Sequence, residues 1–95
     1  MDRVLVVGSL NMDFAVYMDR RPQAGETVMA RSMKLVPGGK GANQAYALGK
    51  LGAKTAMIGA VGSDAFGKQL LENLESVSVN TAWVRRIPGA ETGKA

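Results

Sequence analysis

Two short runs hold the residues that could do chemistry. Asn11 and Asp13 stand two apart just after an apolar run, Val4-Leu5-Val6-Val7, that ends at Gly8. Farther along comes Pro37-Gly38-Gly39-Lys40-Gly41-Ala42-Asn43-Gln44-Ala45. A Gly-Gly-Lys-Gly run between a strand and a helix is a candidate phosphate cradle, and the standard forms can be checked by position. A Walker A loop needs Ser or Thr after its Gly-Lys pair and a glycine five residues before that pair's glycine; Gly41 and Lys34 occupy those places. A dinucleotide fingerprint begun at Gly39 meets Gln44 where its last glycine belongs. Both forms fail. What is left is a helix start preceded by small residues, where a ligand can approach backbone amides without meeting a side chain. Asn43 in the first turn offers donors and an acceptor. In an extended segment, Asn11 and Asp13 point to one face. A carboxylate accepts from two neighbouring hydroxyls and an amide both gives and accepts, which suits a polyol. Taken singly, each feature also has a structural reading, since glycine turns cap helices and Asn or Asp after a strand forms turns.

The elements that would position these groups follow from the apolar pattern. Val4–Val7 reads as a strand covered on both faces, as in a parallel sheet. Segments at about 14–18 and 27–36 read as two further strands, separated by the turn-rich Arg21-Pro22-Gln23-Ala24-Gly25, and form a flap beside the main sheet. From Lys40 to Leu51 the spacing turns helical, with Ala42, Ala45, Leu48 and Leu51 on one face and Gly52 as a left-handed cap. Thr55–Val61 is a buried strand. Ser63 is the expected N-cap of a helix that turns Phe66, Leu70, Leu71 and Leu74 inward. Val79–Val84 supplies a strand with Trp83, and 92–95 opens another. This alternation predicts an α/β fold with a mostly parallel, Rossmann-like sheet.

Composition narrows the functional classes. With 95 residues the chain has room for one small domain, which buries about two-thirds of its unfolded surface. An apolar share of 46% and a charged share of 21% are those of a folded globular protein. There is no cysteine and no histidine, so disulfides, thiolate metal sites and imidazole chemistry are excluded within this chain. The net charge of +4 is spread from Arg3 to Lys94, and its densest points are only Arg20-Arg21 and Arg85-Arg86. Such scatter argues for a solvated surface rather than a nucleic-acid partner. No window approaches the ~18 apolar residues of a membrane span, and the amino terminus has no long apolar core behind a basic region, so a cytoplasmic location is expected.

The ordered set of motifs resembles the PfkB family of carbohydrate kinases, and within it the ribokinase branch. The matching segments are Val-Gly-Ser-Leu-Asn-Met-Asp at 7–13, Pro-Gly-Gly-Lys-Gly-Ala-Asn-Gln-Ala at 37–45, Leu-Gly-Ala at 51–53 and Gly-Ala-Val-Gly-Ser-Asp-Ala-Phe-Gly at 59–67. The resemblance implies the N-terminal part of a ribokinase-like α/β sheet domain with a small β lid, in which the strands near 14–18 and 27–36 close over the sugar and can pair with a second copy. It implies ATP-dependent phosphorylation of D-ribose to ribose 5-phosphate in an intact protein; other PfkB specificities, fructokinase or nucleoside kinase, are alternatives, as is a non-catalytic sugar-binding or dimerising module. By position, Asn11, Asp13, Gly38, Gly39, Lys40 and Asn43 would bind the sugar. ATP, Mg2+ and K+ would be held by a C-terminal part absent from these 95 residues, so the chain alone is expected to be inactive, with no catalytic, cofactor or metal residue of its own. Ser78 stands where the family has glycine, and its turn is expected to be strained.

Overall fold

The apolar run at the amino terminus becomes β1 (Arg3–Val7), which runs between β-branched residues that favour a pleated, extended backbone. The computed structural model describes residues 3–17, 24–25 and 32–94. After β1 come β2 (Asn11–Tyr17), β3 (Ser32–Gly38), α1 (Lys40–Lys50), β4 (Lys54–Gly62), α2 (Ala65–Glu75), β5 (Asn80–Ile87) and β6 (Gly93–Lys94). Met18 and residues 27–31 of the two expected flap strands, the Arg20-Arg21 pair and Ala95 lie outside the described residues.

Among the described residues the strands form two three-stranded sheets. The first, in the order β1-β4-β5, is wholly parallel, with Val6 opposite Met57 and Gly59 opposite Val84. The second, in the order β3-β2-β6, pairs β2 antiparallel to β3 and parallel to β6. The two expected flap strands therefore do stand beside the parallel sheet, and β2 begins earlier than expected, so that Asn11 and Asp13 belong to the strand itself. Both helices pack on the same side of the parallel sheet: α1 on β1 and β4, α2 on β4 and β5, the two touching each other. Helix α2 also meets β2 and β3 and so lies between the sheets.

The core is a single cluster in which Met12, Met57, Leu70 and Leu74 are almost wholly buried. Each such side chain contributes about 2 kcal/mol through the surface it removes from water. The other face of the parallel sheet is bare. Leu5 is 58% exposed, Val7 71% and Trp83 65%, and Val7, Ile58 and Trp83 form a row across the three strands. The expectation that β1 is covered on both faces is thus corrected among the described residues: alternate residues of β1 face the helices, and the remainder have no layer over them. Leu51 is likewise not on the buried face. Helix α1 ends at Lys50, and Leu51, 81% exposed, falls in the turn beyond it.

Both helices end in the same motif. At α1, Ala53 N–H donates to Leu48 O at 3.0 Å and Gly52 N–H to Gly49 O at 3.0 Å, with Gly52 at φ 90°. At α2, Val79 N–H donates to Leu74 O at 3.1 Å and Ser78 N–H to Glu75 O at 3.0 Å, with Ser78 at φ 63°. This is the Schellman pairing, whose left-handed residue is best glycine. Ser78 holds it with a side chain, as the sequence led one to expect.

The start of α2 corrects another expectation. Its N-cap is Asp64, not Ser63: the Asp64 carboxylate accepts from Gly67 N–H at 2.9 Å, while the Ser63 hydroxyl accepts from Gly89 N–H at 3.2 Å. A carboxylate has two oxygens, and Asp64 uses both. Oδ2 accepts from Thr92 N–H at 2.9 Å and Oδ1 from the Thr92 hydroxyl at 2.5 Å. The Thr92 hydroxyl in turn accepts from Gly62 N–H at 3.0 Å. These donors, the Thr92 hydroxyl first and then the amides of Thr92 and Gly67, bring the Asp64 carboxyl down to about 2 from its ordinary 3.8.

Two outcomes are expected. Ser78→Gly removes the left-handed strain and raises stability by about 0.5–1 kcal/mol after the entropy of the added glycine is set against it, read as a higher Tm. The folded pKa of Asp64 lies below its unfolded value, so its contribution is complete above about pH 4 and is lost as pH falls toward about 2. Urea unfolding at a series of pH values should show this loss in the parent chain and a flatter profile over the same window in Asp64→Asn.

Candidate functional site

The site is built at the carboxyl end of β1, where the chain turns through Gly8, Ser9 and Leu10 into β2. Open α/β sheets place their ligands beyond this end of the strands. The first turn of α1 is pressed against that connection. A Cβ on Gly41 would lie 2.7 Å from Gly8 Cα, and one on Gly8 2.9 Å from Gly41 Cα, so the two backbones touch only because both residues lack a side chain. Ala42 N–H donates to Ser9 O at 3.1 Å and completes the attachment. Gly39 is the N-cap residue of α1, at φ 99° and ψ 133°, a conformation that L side chains rarely adopt. Its missing side chain also leaves room for the carbonyl of Ser9. No acidic residue occupies the first turn, so the positive end of the helix dipole is not neutralised locally.

On β2, alternation sends Met12 and Phe14 to one face and Asn11 and Asp13 to the other. Met12 is 1% exposed in the core, and Phe14 meets Phe66 of α2 edge to face with centroids 6.0 Å apart. That packing fixes the rotation of the strand, and with it the direction of the polar pair. Asn11 Nδ2 donates to Asp13 Oδ1 at 2.5 Å, both residues half-buried. The bond uses one lone pair of the carboxylate and leaves the Asn11 amide oxygen as an acceptor. Gly38, opposite Asn11 on β3, is buried, and any Cβ there would strike the Asp13 carboxylate, with Cγ only 2.5 Å away. Gly38 is therefore the space into which Asp13 folds. That differs from the part expected for it, which was to open the backbone to a ligand.

Of the six residues singled out in the sequence, the structure gathers Asn11, Asp13 and Gly38 into one polar group and sets Gly39 at the adjoining helix cap. Lys40 and Asn43 are exposed on the first turn of α1. Asn43 N–H donates to Gly39 O at 2.8 Å, and among the described residues no hydrogen bond joins either side chain to Asn11 or Asp13. Two partners are not marked in the sequence. Gly8 reads there as the end of a strand and Thr92 as the opening of one; Gly8 has a signal in its place beside Ser9 in a run of small residues, and nothing local marks Thr92.

The concavities elsewhere do not compete as sites. One of about 490 Å³ is lined by Arg3, Lys54, Asn80 and Trp83 at the amino ends of the parallel strands, the end opposite to the polar group. Another, about 510 Å³, runs along the open edge of β1 and is lined mainly by Leu5, Val7, Ala47 and Leu48, with Gln44 as its one polar side chain. Among the described residues no three acidic side chains come together as a metal site, and no helix is long and apolar enough to cross a membrane.

The parallel α/β sheet thus carries a polar pair on β2, just beyond the carboxyl end of its first strand and beside a glycine-rich helix start, as its candidate site. The chain belongs to the pfkB family of carbohydrate kinases, whose model matches residues 1–95. It is similar to the ribokinase of Bacillus subtilis strain 168, at 46% identity over 95 residues, all of this chain and 32% of that protein. Its fold is similar to that of a ribokinase from Cryptococcus neoformans solved with ADP, at a TM-score of 0.90 and 36% identity, covering 100% of this chain and 30% of that one. It is also similar to an Arabidopsis thaliana ribokinase solved with ribose and ATP, at a TM-score of 0.83 and 39% identity, covering 97% and 30%. The chain spans about a third of the length of these relatives.

The Gly38–Asp13 contact has a direct test. Gly38→Ala should lower stability by about 1–3 kcal/mol, as overpacking does. In an Asp13→Ala background the same change should cost much less, because the group struck is gone. A double-mutant cycle by denaturant unfolding measures the coupling.

Proposed function

We propose that the protein carrying this chain is a ribokinase that transfers the terminal phosphoryl group of ATP to the 5-hydroxyl of D-ribose in the cytoplasm, and that these 95 residues form its acceptor-sugar side. The observation that carries the reading is the Asn11–Asp13 pair, held on β2 beside the amino end of α1 in a chain of the pfkB family. Asp13 is positioned to accept from two neighbouring sugar hydroxyls, Asn11 to accept a third, and Gly39, Lys40 and Asn43 to complete the rim. Fixing the sugar in this way supplies orientation, a large share of what phosphoryl transfer asks of a protein.

The donor side lies elsewhere in the reading. Among the described residues the glycine run lacks the Walker order and no three acidic side chains come together. ATP with Mg2+ would supply the activated phosphoryl group and neutralise its charge. In this reading ATP, Mg2+ and an activating K+ belong to the part of the longer protein outside these residues, as does the base that takes the hydroxyl proton. Asp13 holds the sugar and is not that base. The second sheet is read as a lid over the sugar. Val16, Met33 and Leu35 on one of its faces are 47%, 62% and 40% exposed, which supports pairing with a second copy there.

The test is steady-state kinetics on the protein at the full length of its relatives, with ADP release coupled to an optical readout. D-Ribose is expected to be the best acceptor in a panel with 2-deoxyribose, fructose and adenosine. Asp13→Ala should raise the KM for ribose by roughly a hundredfold or more, since a charged acceptor of two hydroxyls is lost. The 95-residue chain alone should show no turnover. A preference for fructose or adenosine would replace the ribokinase reading with another member of the family, and unchanged kinetics in Asp13→Ala would remove that residue from the site.

A further inference from the structure

The run Gly62-Ser63-Asp64-Ala65-Phe66-Gly67 helps to mark the family, yet among the described residues no hydrogen bond joins it to the polar pair. Its geometry gives it a different task. Capping α2 needs one oxygen, and a serine would suffice. Asp64 makes two further bonds, both to Thr92, a residue 3% exposed and 28 positions away. Thr92 immediately precedes β6, whose Gly93 and Lys94 pair with Asn11 and Met12 of β2. The chain passes from the parallel sheet to the second sheet between Ile87 and Gly93, and Asp64 is the fixture on that passage. No slack surrounds it: a Cβ on Gly62 would lie 2.6 Å from Thr92 N, and one on Gly67 3.1 Å from Thr92 Oγ1. Ser63 N–H holds Ala90 O at 3.2 Å on the same passage.

Asn11 thus lies between two neighbours. On one side β3 is continuous with α1 through Gly38 and Gly39. On the other, β6 opens at Gly93 beside Asn11, directly after the Thr92 that Asp64 holds. We propose that Asp64 is a positioning residue for the acceptor sugar: through Thr92 it seats β6 against β2 and so sets the backbone from which Asn11 reaches the ligand. The proposal rests on the ribose-binding reading above. It assigns to Asp64 an effect on sugar affinity separate from its effect as a helix cap.

The experiment uses the full-length protein and three variants. Asp64→Ser keeps a capping oxygen for Gly67 but cannot span to Thr92. Thr92→Val keeps the shape and the backbone N–H hydrogen bond to Asp64 but loses the hydroxyl, and Thr92→Ser restores it. Ribose Kd by calorimetry, KM for ribose and for ATP, and Tm are measured for each. Asp64→Ser and Thr92→Val are expected to raise ribose Kd and KM by about tenfold, the worth of one or two hydrogen bonds, with the KM for ATP unchanged. Thr92→Ser should lie near the parent. The proposal is overturned if Asp64→Ser and Thr92→Val lower Tm while ribose Kd stays at the parent value, or if the KM values for ATP and ribose rise together. Should Asp64→Ser fail to fold, Thr92→Val decides by the same criteria. A parent protein that binds no ribose would instead overturn the underlying reading, a result distinct from any difference among the variants.

Discussion

Two stretches of backbone meet directly at Gly8, at the end of β1, and Gly41, in the first turn of α1. Each would drive a Cβ to within 3 Å of the other's Cα, so the helix can rest there only while both positions are glycine. That contact determines where α1 starts, and the bond from Ala42 N–H to Ser9 O fixes its angle of entry. The connection from β1 to β2 passes directly beneath it. The distance from the helix's amino end to the Asn11–Asp13 pair therefore follows from a steric condition on two residues that carry no chemistry.

The rest of the architecture supports the pair from behind and from the side. Met12 in the core and Phe14 against Phe66 lock the rotation of β2, which is why two polar residues on its other face share a direction. Gly38 provides the volume for the carboxylate, and the Asp64–Thr92 joint closes the far edge through β6. Lys94 adds to that edge, its ammonium 5.9 Å from the centre of the Phe66 ring and 3.2 Å from the Glu91 carboxylate. By contrast, among the described residues the parallel sheet has helices on one face alone. A parallel sheet ordinarily has a layer on each side, and the row Val7, Ile58, Trp83 is apolar surface of the kind such a layer covers.

Much of the fold was legible because it follows from short-range rules. Strand and helix periods placed β1, α1, β4, α2 and β5 to within a few residues, the left-handed position at Gly52 followed from where α1 had to stop, and that at Ser78 from the resemblance, which has glycine there. The errors were of a different kind. Ser63 and Asp64 are both good N-caps, and only the presence of Thr92 in space selects the one with two oxygens. Leu51 continues the apolar spacing of α1, yet the Schellman turn ends the helix before it. Leu5 and Val7 look buried in the sequence, since an apolar run does not report which of its faces has a neighbour.

By itself the sequence determined the residue types available and the order of their motifs: an amide and a carboxylate two apart, a glycine-rich helix start, no thiol and no imidazole. The order of those motifs suffices for the family, whose model matches residues 1–95. Only the tertiary structure decided what each glycine is for and which distant residues meet. Gly38 makes room for Asp13, Gly8 makes room for Gly41, and Asp64 reaches Thr92 across 28 residues. Such pairings depend on strand register and on the crossing of helix over sheet, and these are settled by packing the whole core at once, with no local pattern in the chain to announce them.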